Sequence, residues 1–152
     1  MNMIELKIFD KAMQQDIEIF CQKRGYDLAG RHIDMSNIHE TYMKNGCFWC
    51  LYADALLIGT VAVRNIKVKN TNKKIAELKR MFIMNDYRGK GYGRLMLDTA
   101  IVYSRDNGFA KILLDTRIEH DKAIELYREY GFLEIPAYND NVEAELFFEL
   151  DL

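Results

Sequence analysis

A glycine-rich turn carries the clearest chemistry in this chain. Three glycines, Gly89, Gly91 and Gly93, alternate there with larger residues, namely Arg88, Lys90, Tyr92 and Arg94. Glycine lets a backbone approach a ligand closely and reach positive φ values. A helix that begins near Gly91 exposes unpaired N–H groups and the positive end of its dipole. The turn therefore predicts a backbone-built anion site that suits phosphate, to which the neighbouring cations add charge.

Spacing excludes two other kinds of phosphate loop. A dinucleotide fingerprint needs G-x-G-x-x-G, and no glycine stands at the required position after Gly91 and Gly93. A P-loop needs a lysine followed by serine or threonine, whereas Lys90 is followed by Gly91. A glycine-rich connection that binds nothing is the alternative that the glycines alone leave open.

Composition favours one folded domain over residues 1–152. Apolar residues make up 49% of the chain and charged residues 29%, as in globular proteins. The formal net charge of −2 speaks against a sequence-independent nucleic-acid binder, which usually carries a basic surplus. No apolar run approaches the roughly 18 residues of a membrane span. Three cysteines without a secretion signal favour the reducing cytoplasm as the location.

Hydrophobic periodicity places the glycine turn among strands and helices. In the first half, it predicts a strand over 3–9, a helix over 11–24 capped by Asp10, a short helix that ends at Met43, and a hairpin of strands 47–52 and 56–66. In the second half, it predicts a strand over 75–83, a helix from the turn to Asn107, a strand over 111–115, a helix over 121–130, and strands over 132–135 and 143–150. This order predicts an α/β (α+β) fold with a mixed sheet and helices on both faces.

The turn sequence R-G-K-G-Y-G resembles the R/Q-x-x-G-x-G/A motif of the GNAT superfamily of N-acetyltransferases. The similarity continues through L-D-T at 114–116 and A-I-E-L-Y-R-E-Y-G-F at 123–132. The resemblance implies a mostly antiparallel sheet of six to seven strands, with a splayed central pair at 75–83 and 111–115. It also implies acetyl-CoA as cosubstrate, no metal, and transfer of the acetyl group to a primary amine by direct attack in a ternary complex.

The resemblance further implies where the cofactor binds. The pantetheine arm would hydrogen-bond like an added strand to Met81, Phe82 and Ile83, and the pyrophosphate would rest on the turn from Arg88 to Arg94. A main-chain N–H near Met81 would polarise the thioester carbonyl. Many relatives carry an asparagine that contacts the cofactor where this chain has His120. Histidine could still donate a hydrogen bond there, and it could titrate near neutral pH.

Glu77 lies where several relatives carry the general base. An alkyl ammonium has a pKa near ~10.4 and must lose a proton before it attacks a thioester. The strand period of two predicts that Glu77, Lys79, Met81 and Ile83 share one face. The alternative is that Glu77 pairs with Lys79 or lies exposed.

Tyr127 lies where the resemblance implies the general acid. The leaving group is a thiolate, and a free thiol has a pKa of about 8.5, so a nearby phenol can donate a proton or a hydrogen bond to it. The helical spacing of Tyr127 with Ile124 and Tyr130 fits a core tyrosine equally well.

The acyl acceptor is the least determined feature of the sequence. We expect a small-molecule or protein amine as partner, no nucleic acid and no membrane, and we leave a homodimer open. The carboxylates near the C-terminus could attract a cationic amine or form a solvated edge. The residues expected on the acceptor side are Arg31, His32, Tyr42, Trp49, Tyr138, Asp140, Glu143 and Glu145.

Two other functions compete with the enzyme. One is a sensor or interaction domain that keeps the fold and binds acyl-CoA without turnover. The other is a nucleotide-binding protein that uses the same glycines for ATP. Glu77 together with Tyr127 favours the enzyme, because a sensor needs neither residue. The C-x-x-C of Cys47 and Cys50 lies in a predicted strand, so its thiols should point to opposite faces and belong to the core.

Overall fold

Seven strands form one mixed sheet in the computed structural model, which describes residues 2–152. The strands are β1 (Ile4–Ile8), β2 (Cys47–Ala53), β3 (Leu56–Ile66), β4 (Ile75–Ile83), β5 (Lys111–Thr116), β6 (Leu133–Ile135) and β7 (Leu146–Asp151). Their order across the sheet is β1-β2-β3-β4-β5-β7-β6. Only β4 and β5 run parallel among the paired strands of residues 2–152. The predicted α/β (α+β) class and mostly antiparallel sheet are confirmed.

Three α-helices cover the two faces of the sheet. They are α1 (Gln14–Lys23), α2 (Tyr92–Asp106) and α3 (Asp121–Glu129). A short 3-10 turn precedes α1, and the Asp10 carboxylate caps that turn by accepting a hydrogen bond from the Ala12 N–H at 2.8 Å. Shorter helical turns occupy Ile33–Ser36, His39–Met43 and Asn85–Tyr87. Across residues 2–152, no helix has the length and apolarity that crossing a membrane requires.

Each face of the sheet has its own hydrophobic core. The α2-side core contains Trp49, Leu78, Met96, Leu97 and Phe132, among others. The α1-side core contains Ile17, Phe20, Tyr42, Phe48 and Ala62, among others. Helix spacing explains the burial on α2, because Leu97, Ala100, Ile101 and Ser104 lie on one stripe.

Both cysteines of the C-x-x-C lie in the core, as predicted. Cys47 packs in the α2-side core and Cys50 in the α1-side core, and both are free thiols. Burial raises the pKa of Cys47 to about 11 and that of Cys50 to about 12. Neither thiol is therefore activated as a nucleophile at neutral pH.

Strand β7 begins later than the predicted residue 143. Asn141 forms a turn there, because its side-chain oxygen accepts a hydrogen bond from the Glu143 N–H at 3.1 Å. The N–H of Ala144 donates to the Asn141 carbonyl, also within this turn. The segment 136–145 is consequently a loop between β6 and β7, and we call it the β6–β7 loop.

Candidate active site

The parallel strands β4 and β5 separate after three paired residues. Residues 75–77 of β4 pair with 111–113 of β5, and no later pair joins these strands within residues 2–152. Strand β5 continues alongside β7, whereas β4 continues alongside β3 as far as Ile83. The result is a V-shaped opening whose apex lies at Glu77 and Leu113. The predicted splayed central pair is confirmed.

The glycine turn lies just beyond the open end of β4. Gly89 and Gly91 have φ values of 75° and 87°, and no heavy atom lies within 4 Å of a Cβ built on either one. Gly91 caps the 15-residue helix α2, and no side chain caps the first N–H groups of that helix. A left-handed backbone next to open space, followed by free helical N–H groups, has the geometry that suits an anion, and we call this turn the anion cradle.

Gly93 has a different reason to be glycine. A Cβ there would lie 3.3 Å from Leu126 Cδ2 and 3.7 Å from Met81 Cε. The first turn of α2 therefore packs tightly against α3 and β4. Gly93 lets the cradle lie close to the V-shaped opening.

The cationic side chains of the turn have different interaction partners. Arg94 forms a salt bridge with Glu129, so its charge is offset. Arg88 donates a hydrogen bond from Nε to the Ile83 carbonyl at 3.0 Å, and Lys90 lies over the Tyr87 ring. Neither Arg88 nor Lys90 has a carboxylate partner in the described part of the chain. These two charges remain available to an anion at the turn.

A β-bulge at Arg80 overturns the predicted facing of β4. Arg80 has a φ of 53°, and the register passes from Lys79 opposite Ala62 to Phe82 opposite Thr60. The extra residue reverses the alternation of side chains.

The prediction that Glu77, Lys79, Met81 and Ile83 share a face is therefore wrong. Met81 and Ile83 pack on the α2-side core with Leu78, and Phe82 packs on the α1-side core. Only Glu77 and Lys79, which precede the bulge, share a face as predicted.

Two contacts hold the bulge in place. The Thr60 hydroxyl donates a hydrogen bond to the Arg80 carbonyl at 2.6 Å. The Arg80 guanidinium donates to both oxygens of Asp34, at 2.8 and 2.7 Å, and the Tyr42 hydroxyl donates to the same carboxylate at 2.6 Å. Burial opposes ionisation of Asp34, but the hydrogen bonds and charge of Arg80 outweigh it and lower the pKa of Asp34. Met81, whose N–H is the predicted donor to the thioester carbonyl, follows the bulge directly.

Replacing Asp34 by asparagine should lower the free energy of unfolding by about 3 kcal/mol at pH 7, because Arg80 loses its only charged partner among the described residues. The folded pKa of Asp34 lies below its usual value, so its contribution is present above pH ~4 and disappears as the pH falls through the folded pKa. Urea unfolding at pH 7 and in acid measures this. Glu40→Gln, which removes an exposed pair with Lys44, should change nothing. An equal loss at both pH values would contradict the ionic origin.

Glu77 is buried at the apex of the V-shaped opening, with 1% of its surface exposed. Its carboxylate accepts hydrogen bonds from Arg64 Nε at 2.8 Å, from the Tyr138 hydroxyl at 2.6 Å and from Asn139 Nδ2 at 3.4 Å. Both versions of the alternative, an ion pair with Lys79 and an exposed carboxylate, are wrong. The partner is Arg64 of β3, which lies directly opposite Glu77 in the sheet.

Tyr127 points from α3 towards the middle of β4. Its hydroxyl lies 3.9 Å from the Met81 sulfur, and 6% of the residue is exposed. The ring contacts Phe132 and Phe148, with centroids 5.6 and 6.4 Å away. Burial raises the pKa of Tyr127 well above its ordinary value. The side chain is thus part of the core and also places a protonated phenol beside the strand that lines the opening.

His120 lies at the other strand of the opening. It precedes the first residue of α3, and its Nδ1 lies 3.2 Å from the hydroxyl of Thr116, the last residue of β5. The imidazole is exposed. Its role as a cofactor contact stays a prediction.

The residues expected on the acceptor side lie in different surroundings. Trp49 packs against Tyr103 in the α2-side core. Tyr42 is fully buried and bonds Asp34, whereas His32 stacks on Tyr26. Asp140 is exposed.

Glu143 links the β6–β7 loop to Arg31 and to Arg117, the residue that follows β5. Its carboxylate contacts Arg31 at 3.3 Å and Arg117 at 3.2 Å. Glu145 accepts a hydrogen bond from the Ile118 N–H at 3.1 Å. Because Glu143 and Glu145 both have partners within the protein, neither carboxylate is free to attract a cationic amine. Tyr138 of the same loop reaches Glu77 instead.

The V-shaped opening between β4 and β5, with the open glycine turn beyond its mouth, is the candidate active site. Residues 10–132 match the family described as Acetyltransferase (GNAT) family. The chain belongs to that family.

Individual relatives agree with this assignment. The chain is 30% identical over 111 residues to N-acetyltransferase 8B of Homo sapiens, a match that covers 72% of this chain and 48% of that protein. The chain thus spans about half the length of such curated relatives. A GNAT acetyltransferase from Staphylococcus aureus shares the fold with a TM-score of 0.80 at 22% identity, covering 98% of this chain and 99% of that one. A GNAT acetyltransferase from Elizabethkingia anophelis, solved with acetyl-CoA bound, gives a TM-score of 0.67 at 15% identity, covering 98% of both.

Proposed function

We propose that this protein transfers an acetyl group from acetyl-CoA to a primary amine by direct attack in a ternary complex. The observation that carries the proposal is the V-shaped opening, whose β4 edge leads into an open glycine turn at the start of α2. One wall is a strand edge without a partner in residues 2–152, and the mouth is an anion cradle. That combination suits a ligand with an amide-containing arm and a pyrophosphate.

The cofactor residues follow from this geometry. The pantetheine amides would pair with the main chain of Met81, Phe82 and Ile83. The pyrophosphate would lie on the N–H groups of residues 89–94, within reach of Arg88 and Lys90. His120 would contact the cofactor from the β5 side. The relative solved with acetyl-CoA supports acetyl as the acyl group.

The chemistry is assigned to three groups. The Met81 N–H polarises the thioester carbonyl, where negative charge develops in the transition state. Glu77 is the final acceptor of the proton that the ammonium must lose. Tyr127 donates a proton to the departing thiolate, for which its raised pKa keeps it in the protonated form. The buried thiols have raised pKa values, which agrees with a mechanism without an acyl-cysteine.

The acceptor would enter on the α1-side face, where the β6–β7 loop, Lys79 and Arg31 surround the apex. A small molecule and a protein amine both remain open as its class. The cytoplasmic location and the homodimer also stay predictions.

Release of free thiol from acetyl-CoA, measured across a panel of amines, tests the proposed activity. We expect turnover with at least one amine and none without an amine. A protein that binds coenzyme A but turns over no amine would instead be the acyl-CoA sensor.

Thermal unfolding separates coenzyme A from ATP as the ligand of the glycine turn. A ligand present at 100 times its Kd stabilises the folded state by about 2.7 kcal/mol. For a domain of this size, that corresponds to a Tm increase of roughly 5–10 °C. We expect this increase with coenzyme A and not with ATP. The reverse result would favour a nucleotide-binding protein.

A further inference from the structure

The proposed base is separated from the place where the amine reacts. Glu77 is almost completely buried, and Met81 follows it by four residues on β4. At about 3.3 Å per residue, an extended strand spans roughly 13 Å over that interval, which the bulge at Arg80 shortens only in part. Because Glu77 is also covered by Tyr138 and Asn139 of the β6–β7 loop, an amine at the thioester has no direct access to its carboxylate. Another group has to carry the proton between them.

Only one of the three groups bonded to Glu77 can carry it. The Arg64 guanidinium and the Asn139 amide nitrogen donate hydrogen bonds to the carboxylate and have no lone pair that accepts a proton. The Tyr138 hydroxyl donates to Glu77 at 2.6 Å and keeps lone pairs free for a second donor. Tyr138 is also partly exposed, whereas Glu77 is not.

The surroundings hold this hydroxyl in one place. The Tyr138 ring packs edge to face on Phe147 of β7, with centroids 5.7 Å apart. The next residue, Asn139, donates a hydrogen bond to Asp115 of β5 at 2.7 Å, and Asn141 donates to the same carboxylate at 3.2 Å. The β6–β7 loop is thus anchored on β5, just beyond the apex of the V-shaped opening.

We propose that Tyr138 relays the proton of the acceptor ammonium to Glu77, a step that rests on the proposed acetyltransferase function. An N–H bond of the ammonium breaks, and its proton passes to the Tyr138 oxygen. At the same time, the hydroxyl proton of Tyr138 passes to the Glu77 carboxylate. The phenol stays neutral, and the neutral amine attacks the thioester carbonyl. As the C–S bond breaks, the nitrogen loses a second proton, which replaces the one that Tyr127 gives to the thiolate. Glu77 returns its proton to solvent by the same route after the product leaves.

The charges around Tyr138 suit this role. Glu77 on β4, Arg64 on β3 and Asp115 on β5 are the ionisable groups that act on it. Burial raises the pKa of Tyr138, and the negative charge of Glu77 raises it further. The hydroxyl therefore keeps its proton at rest and can only exchange it.

Tyr138→Phe should lower kcat at neutral pH by roughly 100-fold, the lower end of what general acid–base catalysis contributes. The KM for acetyl-CoA should stay within about twofold, because the ring still packs on Phe147. Without the relay, the amine must reach the site already neutral. The fraction of neutral amine rises about tenfold per pH unit below ~10.4, so the difference between wild type and variant should shrink as the pH rises.

Tyr52→Phe provides a matched control, because it removes a tyrosine–carboxylate hydrogen bond to Asp16, of 2.9 Å, outside the opening. It should leave kcat unchanged. Adding Glu77→Gln to Tyr138→Phe should cost little more than Glu77→Gln alone, since both act in one step.

An unchanged kcat in Tyr138→Phe, or a loss of equal size at every pH, would overturn the relay and leave acetyl transfer standing. Absence of turnover by the unmodified protein with every amine, at every pH, would overturn the proposed function together with the relay.

Discussion

Gly91→Glu should weaken coenzyme A binding at least 100-fold. Gly91 caps α2 at a φ of 87°, and a side chain there would project into the cradle where the pyrophosphate is expected. A carboxylate at that point repels the phosphates at close range. The open space around the Cβ position means that the variant should still fold, at a conformational cost of about 1–2 kcal/mol. Isothermal titration with coenzyme A measures the effect.

Gly108→Glu is the control for backbone strain. Gly108 lies just after the other end of α2, with a φ of 78° and no heavy atom within 4 Å of its Cβ position. The substitution imposes the same strain and adds the same charge far from the cradle. Gly108→Glu should lose at least as much Tm as Gly91→Glu, because its charge lies at the negative end of the α2 dipole, while only Gly91→Glu loses binding. Retained binding in Gly91→Glu would refute the phosphate cradle, and lost binding in both would point to general destabilisation.

The elements of the fold were predictable because their signals are local. Asp10 caps a helical turn through its own side chain, and apolar residues at helical spacing fix the buried stripe of α2. Alternating apolar residues define the strands, and the polar pair Asn107-Gly108 ends α2. None of these signals requires a partner that is distant in sequence. The opening between β4 and β5 came only from the family resemblance.

The details of the site were not predictable, because they depend on contacts between distant segments. The bulge at Arg80 is fixed by Asp34, 46 residues earlier, and by Thr60 on the next strand. A period of two cannot reveal an inserted residue, so the facing of Met81 was predicted wrongly. Arg64 becomes the partner of Glu77 only through the register of β3 and β4.

The contact between Tyr138 and Glu77 spans 61 residues and had no local signal. A lone arginine in the apolar run of β3 was the one hint of a buried carboxylate opposite. The bulge divides β4 into two parts with different roles. Before the bulge, the side chain of Glu77 is the proposed catalytic group. After the bulge, the proposed contacts with the cofactor come from the main chain, and the side chains of Met81 and Ile83 pack against the α2-side core.

Tyr127→Phe should lower kcat by 100-fold or more while leaving coenzyme A affinity within about twofold. The Tyr127 hydroxyl is positioned beside Met81, where the thiolate would leave, and general acids contribute roughly 10²–10⁴-fold. The phenylalanine ring keeps the contacts with Phe132 and Phe148, so the fold should be retained. Single-turnover measurements isolate the chemical step, and titration gives the affinity.

Tyr103→Phe is the matched variant, because Tyr103 packs against the same α2-side core, next to Trp49 and Phe109, away from the opening. Its kcat should equal that of the wild type.

The pH dependence of the wild-type rate provides a second test of the Tyr127 assignment. Burial raises the pKa of Tyr127, so the wild-type rate should not fall through loss of this proton up to a pH of ~10. A full rate in Tyr127→Phe would assign the tyrosine to the core alone and leave the thiolate to depart unprotonated, which its pKa of about 8.5 permits at neutral pH.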